Sequence, residues 1–191
     1  QTSNDNDSGT ENNNEMTPAQ IARKLAKMNQ DDKEKYLKDM SPQDRVRVLR
    51  EMSPRDRARC LKALSLEDRI NTLNNMNPNE KNKALSELNP DVRDQTLSFM
   101  NPNDRTKVLT DMLPKNRDNT LVSMSPQDRD KIFGEMSPED RNKVLSEMSP
   151  QDRYKILSEM SPQNRAKALA AMSPENRQNI LADMSEEERA K

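Results

Sequence analysis

From Met16 onward the apolar residues return every twelve positions, and they do so to Lys191 without insertion or deletion. With Met16 as position 1, the frame gives fourteen full repeats through Asp183 and a partial one, "MSEEERAK", from Met184. Position 1 is Met, or Leu at Leu64 and Leu88. Position 10 is Leu, or Phe at Phe133. Position 9 is often β-branched, as at Val48, Val108, Ile132, Val144, Ile156 and Ile180. Positions 6, 9, 10 and the next position 1 are spaced 0, 3, 4 and 7, which is one face of an α-helix. The other columns are mostly polar. The pattern predicts one short amphipathic helix per repeat.

The start and stop signals agree with that period. Every proline, from Pro18 to Pro174, falls at position 3. Proline at the first helical position loses no hydrogen bond, and its fixed φ suits the helix. Position 2 before it is Ser, Thr or Asn except at Leu113. Those side chains accept from the free N–H groups of a helix start. Position 5 is mostly Asp, a variant of the capping box that also meets the positive end of the helix dipole. The residue before a proline is pushed out of the helical region, so each helix ends near the next position 1. With two glycines in the chain, the turns do not depend on glycine caps.

A helix this short cannot bury enough surface to stand alone, so repeats must lean on their neighbours. The expectation is an all-α superhelical solenoid of about fourteen short helices over residues 16–191. Contacts are expected mainly between repeats near in sequence. Residues 1–15, "QTSNDNDSGTENNNE", lie outside the frame and read as a disordered polar tail.

Composition alone points toward disorder, since 34% of the chain is charged and aliphatic content is low. The net charge of −1 and the thirteen methionines, all at position 1, change that picture. They supply the missing apolar mass at helical spacing. Near-neutrality argues against a nucleic-acid binder or a polybasic membrane-surface protein. No apolar run is long enough to span a bilayer. Histidine is absent and Cys60 is the single cysteine. The usual zinc sets and histidine-dependent nucleophiles are therefore unavailable, no internal disulfide can form, and no cofactor is expected.

The phrase Ser-Pro-Glu-Asp-Arg-x-x-Val-Leu-x-x-Met, as at Ser137–Met148, resembles the short helical repeats in the N-terminal domain of MgtE magnesium transporters. The flagellar motor switch protein FliG has similar local phrases. The resemblance runs from Met16 to Lys191 and rests on the Pro, Asp-Arg and Leu columns. It implies a superhelix of short helices. It does not imply transport.

The arginine column at position 6 is the strongest chemical regularity. Read as function, it is a ladder for an acidic partner. Read as structure, each stem packs on Leu and Met while the guanidinium pairs with a position-5 Asp or with the carbonyls of an adjacent helix end. The second reading carries more weight. The methionine column likewise reads first as core filler, and Cys60 as a buried thiol.

No repeat departs from the frame to build a pocket, so an enzyme is not expected. The expected function is a non-enzymatic structural or interaction scaffold whose partner is a protein. That partner can be the chain itself, joined head-to-tail into oligomers or fibres. One alternative is a binding module presenting a groove or face; variable columns 4, 7 and 11 would then share one surface. Another is a repetitive secreted antigen or effector. The start at Gln1 leans toward secretion or the cell surface. Candidate interaction or assembly residues are Phe99 and Leu113, which break polar columns, and Ile21 and Arg189 near the two ends of the array.

Overall fold

A computed structural model of the chain describes residues 15–182. The described residues form fourteen α-helices, one per repeat. They are α1 (Pro18–Ala26), α2 (Gln30–Lys38), α3 (Pro42–Arg50), α4 (Pro54–Ala63), α5 (Leu66–Asn74), α6 (Pro78–Glu87) and α7 (Pro90–Phe99). There follow α8 (Pro102–Asp111), α9 (Pro114–Ser123), α10 (Pro126–Glu135), α11 (Pro138–Ser146), α12 (Pro150–Glu159), α13 (Pro162–Ala171) and α14 (Pro174–Ala182). No strand occurs among the described residues.

Each helix begins where the N-cap places it. Ser41 Oγ accepts the Asp44 amide at 3.1 Å, and Ser137 Oγ accepts the Asp140 amide at 3.1 Å. The box closes in both directions at Thr17/Gln20 and at Asn77/Glu80. Those third residues are Gln and Glu, whose longer side chains reach back to the cap amide as Asp does not. Proline is dispensable: α2 and α5 start at Gln30 and Leu66 behind Asn29 and Ser65. Two helices lack a side-chain cap, α7 behind Asn89 and α9 behind Leu113.

Many of the turns are built from extended backbone, whereas α1, α2, α5 and α11 end on a cap residue still in the helical region. In α8, for example, Met112 ends the helix at φ −67°, ψ 151° and Leu113 follows at φ −62°, ψ 143°. Two extended residues carry the chain from one helix to the next. No described residue has a positive φ, which is why the turns need no glycine.

The chain forms two compact units, Gln1–Met76 with α1–α5 and Asn77–Lys191 with α6–α14. In the first unit the main packing is between alternate helices: α1 on α3, α2 on α4, α3 on α5. In the second unit alternate helices also pack, as α6 on α8, α7 on α9 and α11 on α13. There a further layer joins helices three repeats apart: α8 with α11, α9 with α12, α10 with α13. A bare expectation of stacking on neighbours thus resolves into partners two and three repeats away.

The position-10 side chain is the centre of the core in the first twelve repeats, whereas Leu169 is half-buried and Leu181 exposed. Leu25, Leu37, Leu61, Leu73, Leu85, Leu97, Leu109, Leu121 and Phe133 have no exposed surface. Cys60 is equally buried, at position 9 beside Leu61. Burial pushes the Cys60 thiol up to about 11, the nearby Asp56 charge acting in the same direction and Lys33 against it.

Candidate functional site

Most of the arginine column lies inside the protein, although Arg57 and Arg165 are half-buried and Arg177 is exposed. Arg105 and Arg129 are 2% exposed and Arg117 is fully buried. Their position follows from the helix period: position 6 shares a face with positions 9 and 10, so the stem runs through the core. The head then meets the C-terminal carbonyls of the preceding helix, which have no partner within that helix. Arg45 Nε donates to Leu37 O at 2.8 Å, Arg69 Nε to Leu61 O at 2.8 Å, and Arg141 Nε to Phe133 O at 2.9 Å. Most of these arginines also reach the position-1 carbonyl, as Arg129 Nη1 does at Met124 O, 2.9 Å. One guanidinium therefore supplies both the C-terminal cap of one helix and the joint to the next.

In the second unit the ladder has a second rung. Arg105 Nη1 lies 2.5 Å from Glu135 Oε1, thirty residues on. Arg117 pairs with Glu147 and Arg129 with Glu159 in the same way. The acid comes from position 12, two repeats later, and not from the Asp adjacent to each Arg. That corrects the expected position-5 partner. The adjacent Asp sits at N3, with its backbone amide held by the cap, as at Asp44 and Asp140. Arg45 lies 3.8 Å from Asp68, a position-5 Asp two repeats away, and Arg93 Nε lies 3.2 Å from the carboxylate of the adjacent Asp94.

Position 7, read as variable and surface-forming, faces neighbouring helices instead. Asp118 is 8% exposed. Asp130 Oδ1 accepts the Ser161 amide at 2.9 Å, and Asp130 O accepts Asn164 Nδ2 at 2.9 Å. These bonds tie α10 to the N-terminus of α13. Asp94 accepts from Ser123 Oγ at 3.0 Å. Columns 4, 7 and 11 therefore do not share one solvent face. The only signal in the sequence was that Asp recurs at position 7 in the seventh, ninth and tenth repeats.

Of the residues singled out in the sequence, two stand in the open. Phe99 is 67% exposed at the end of α7, and Leu113 is 71% exposed at the N-cap of α9. The two helices pack on each other within the second unit. Ile21 is half-buried in the first unit, on a groove of about 550 Å³ that Met16, Pro18, Tyr36 and Met40 also line. Arg189 lies outside the described residues, as do residues 1–14 of the polar tail. Among the described residues no helix is long and apolar enough to cross a membrane.

The family model described as the MgtE intracellular N domain matches the chain three times, over residues 16–112, 40–132 and 108–191. Overlapping matches are what a uniform repeat gives when a longer model slides along it. No curated protein matches the chain.

Proposed function

Because the chain belongs to the MgtE intracellular N domain family, we propose that it is a non-enzymatic repeat scaffold that holds protein partners through exposed apolar breaks in its repeat. The observation that carries this reading is Leu113. It occupies an N-cap position where every other repeat has Ser, Thr or Asn, and α9 has no side-chain cap as a result. A missing cap costs about 1 kcal/mol. Leu113 recovers little of that by burial, since it is 71% exposed. Stability given up for an exposed apolar side chain fits a contact surface, and Phe99 adds a second such side chain on the helix that packs against α9.

The buried charges support the same reading. The buried position-6 arginines, such as Arg105, Arg117 and Arg129, are consumed in capping helices, which leaves them unavailable for chemistry on a substrate. The family's description as an intracellular domain favours a scaffold over a secreted antigen or effector. Head-to-tail assembly of the chain with itself is the second reading, supported by repeats whose faces are complementary to one another.

The test is a native pull-down with the full chain and with a Phe99→Asp/Leu113→Asp double variant whose helicity matches wild type. The scaffold reading expects proteins retained by wild type and lost by the variant. Identical capture by both sinks it. Analytical ultracentrifugation of the same pair reads self-assembly separately, as concentration-dependent growth in the wild-type chain that the variant lacks.

A further inference from the structure

The arginine ladder of the second unit has a rung without an acid. At Arg105, Arg117 and Arg129 the guanidinium meets Glu135, Glu147 and Glu159, each at position 12 two repeats on. At Arg93 that position is Ser123, and the charge is met by the position-7 carboxylate beside it instead. Arg93 Nε lies 3.2 Å from Asp94 Oδ1, Arg93 Nη2 donates to Ser123 Oγ at 2.6 Å, and Ser123 Oγ donates to Asp94 Oδ2 at 3.0 Å. At Arg141 both sources are gone. Position 12 two repeats on is Ala171, at the end of α13, and position 7 is Asn142.

Arg141 is buried all the same, at 8% exposed. Its Nε donates to Phe133 O at 2.9 Å and its Nη2 to Met136 O at 2.7 Å, which caps α10. Among the described residues its Nη1 meets no acceptor, and no carboxylate pairs with it, that of the adjacent Asp140 included. The two carbonyls carry only partial charge. The guanidinium carries a full one, and burying it without a counter-charge is costly. Exposure follows the missing acid. Arg105, Arg117 and Arg129 are 0–2% exposed beneath their glutamates, whereas Arg93 and Arg141, which lack that glutamate, are each 8% exposed. The glutamates themselves are 21–39% exposed in their side chains, so this side of a rung reaches water.

We propose that the Arg141 rung binds a carboxylate that this chain does not supply. The molecule itself names the occupant, because three equivalent guanidinium groups each take a carboxylate. The helix pairing is also the same: α11 packs on α13 as α8 packs on α10 and α10 on α12. Ala171 is half-buried and lacks only the acidic end of the glutamate side chain, so the opening has about the size of that group. Of the five N–H donors of a guanidinium the cap takes two, and Nη1 is left to form a charge-assisted bond. A phosphate is a poorer fit, because one guanidinium with no second cation cannot balance a doubly charged group. The carboxylate comes from a small organic acid or from an acidic side chain of a protein held by the scaffold. The rung shares no residue with the exposed pair Phe99 and Leu113, so its failure leaves that reading untouched.

The experiment follows the thermal midpoint of the full chain as sodium acetate replaces sodium chloride at constant ionic strength. Wild type should rise saturably, by about 2–4 °C. Ala171→Glu, which copies position 12 of the closed rungs, should start higher by a similar amount and respond no further. Arg141→Gln should also lose the response. Ala171→Glu keeps the test readable if Arg141→Gln fails to fold, because it changes one half-buried side chain at a helix end. Saturation-transfer NMR on the acetate methyl should show contact with wild type and none with Ala171→Glu. An equal acetate response in wild type and Ala171→Glu is a general salt effect and overturns the proposal. No response in wild type overturns it too, and a phosphate response as large as that to acetate overturns the carboxylate assignment. Once the acetate response is established, the native pull-down separates the two sources. Proteins held by wild type, released by acetate and not held by Ala171→Glu mark an acidic side chain of a partner. Capture indifferent to both marks a free organic acid.

Discussion

The backbone amide of Ser161 donates to Asp130 Oδ1 at 2.9 Å, so a side chain of α10 closes the start of α13, three repeats further along the chain. Burial alone would raise the Asp130 carboxyl. The Ser161 amide, the Asn164 side chain and the Ser161 hydroxyl outweigh it and hold the carboxyl below its ordinary value. The charged form is therefore favoured in the folded state. Its contribution is present above the ordinary carboxylate pKa and is lost as pH falls through the lowered one. Asp130→Ala is expected to destabilise by about 1–2 kcal/mol at neutral pH, the scale of a lost helix cap. Chemical denaturation at pH 7 and again near pH 3 checks it: the difference from wild type should shrink at the lower pH.

Asp118 is the opposite case on the neighbouring helix. Desolvation raises its carboxyl, with the Asp152 and Glu147 charges adding to the effect, against the pull of Arg117 and the Ser149 backbone amide. Its Oδ1 has no hydrogen-bond partner. The folded state then holds the proton more tightly than the unfolded chain does. Stability falls as pH rises from the ordinary carboxylate value through the raised one. Asp118→Asn, which copies Asn142 in the same column two repeats later, should flatten that part of the stability–pH curve. A profile unchanged from pH 4 to 7 would show that the burial of this carboxylate has no energetic consequence.

Arg105 caps α7 through Leu97 O at 2.8 Å and Ser98 O at 3.2 Å, and its charge is met by Glu135. Arg105→Ala strands those carbonyls and that carboxylate, and is expected to cost about 3–5 kcal/mol. Arg105→Lys retains the charge but not the planar fork that reaches several acceptors at once, and should cost less, about 1–3 kcal/mol. Urea midpoints of the three proteins give the order wild type, Lys, Ala.

At Leu113 the expected sign reverses. Leu113→Ser restores the missing cap of α9 and should stabilise by about 1 kcal/mol. The same variant should weaken partner capture, because it removes the exposed apolar side chain. Thermal melting and the pull-down read the two effects independently.

Cys60 offers a probe of opening. With its thiol pushed up to about 11 and fully buried, almost none is thiolate at pH 8. A maleimide or disulfide reagent should leave the native chain unlabelled and react promptly once denaturant is added. Rapid native labelling would place this part of the first unit in frequent local unfolding.

How far the sequence carries the reader differs from column to column. Position 2 with position 3 announces each helix start, because a cap and a proline act on their own immediate backbone. Position 10 announces the core, because helical spacing alone puts it opposite the polar columns. The arginines were legible as stems packed with Leu and Met, and as candidates for capping carbonyls. Their acidic partners were not, since Glu135, Glu147 and Glu159 are thirty residues away and nothing local ties them to Arg105, Arg117 and Arg129. Position 7 looked variable for the same reason: whether it is buried depends on a helix three repeats away. Phe99 and Leu113 stood out as breaks in the repeat, but only the tertiary structure shows that both are exposed and not packed into the core.

The amino-acid order by itself determined fourteen helix starts, their turns and the buried face of each repeat, because caps, prolines and helical periodicity act within a dozen residues. Tertiary structure alone decided which repeats touch. That choice sets which charges are paired and which position-7 carboxylates are desolvated. Burial and pairing are properties of two surfaces brought together, and a single repeat contains only one of them.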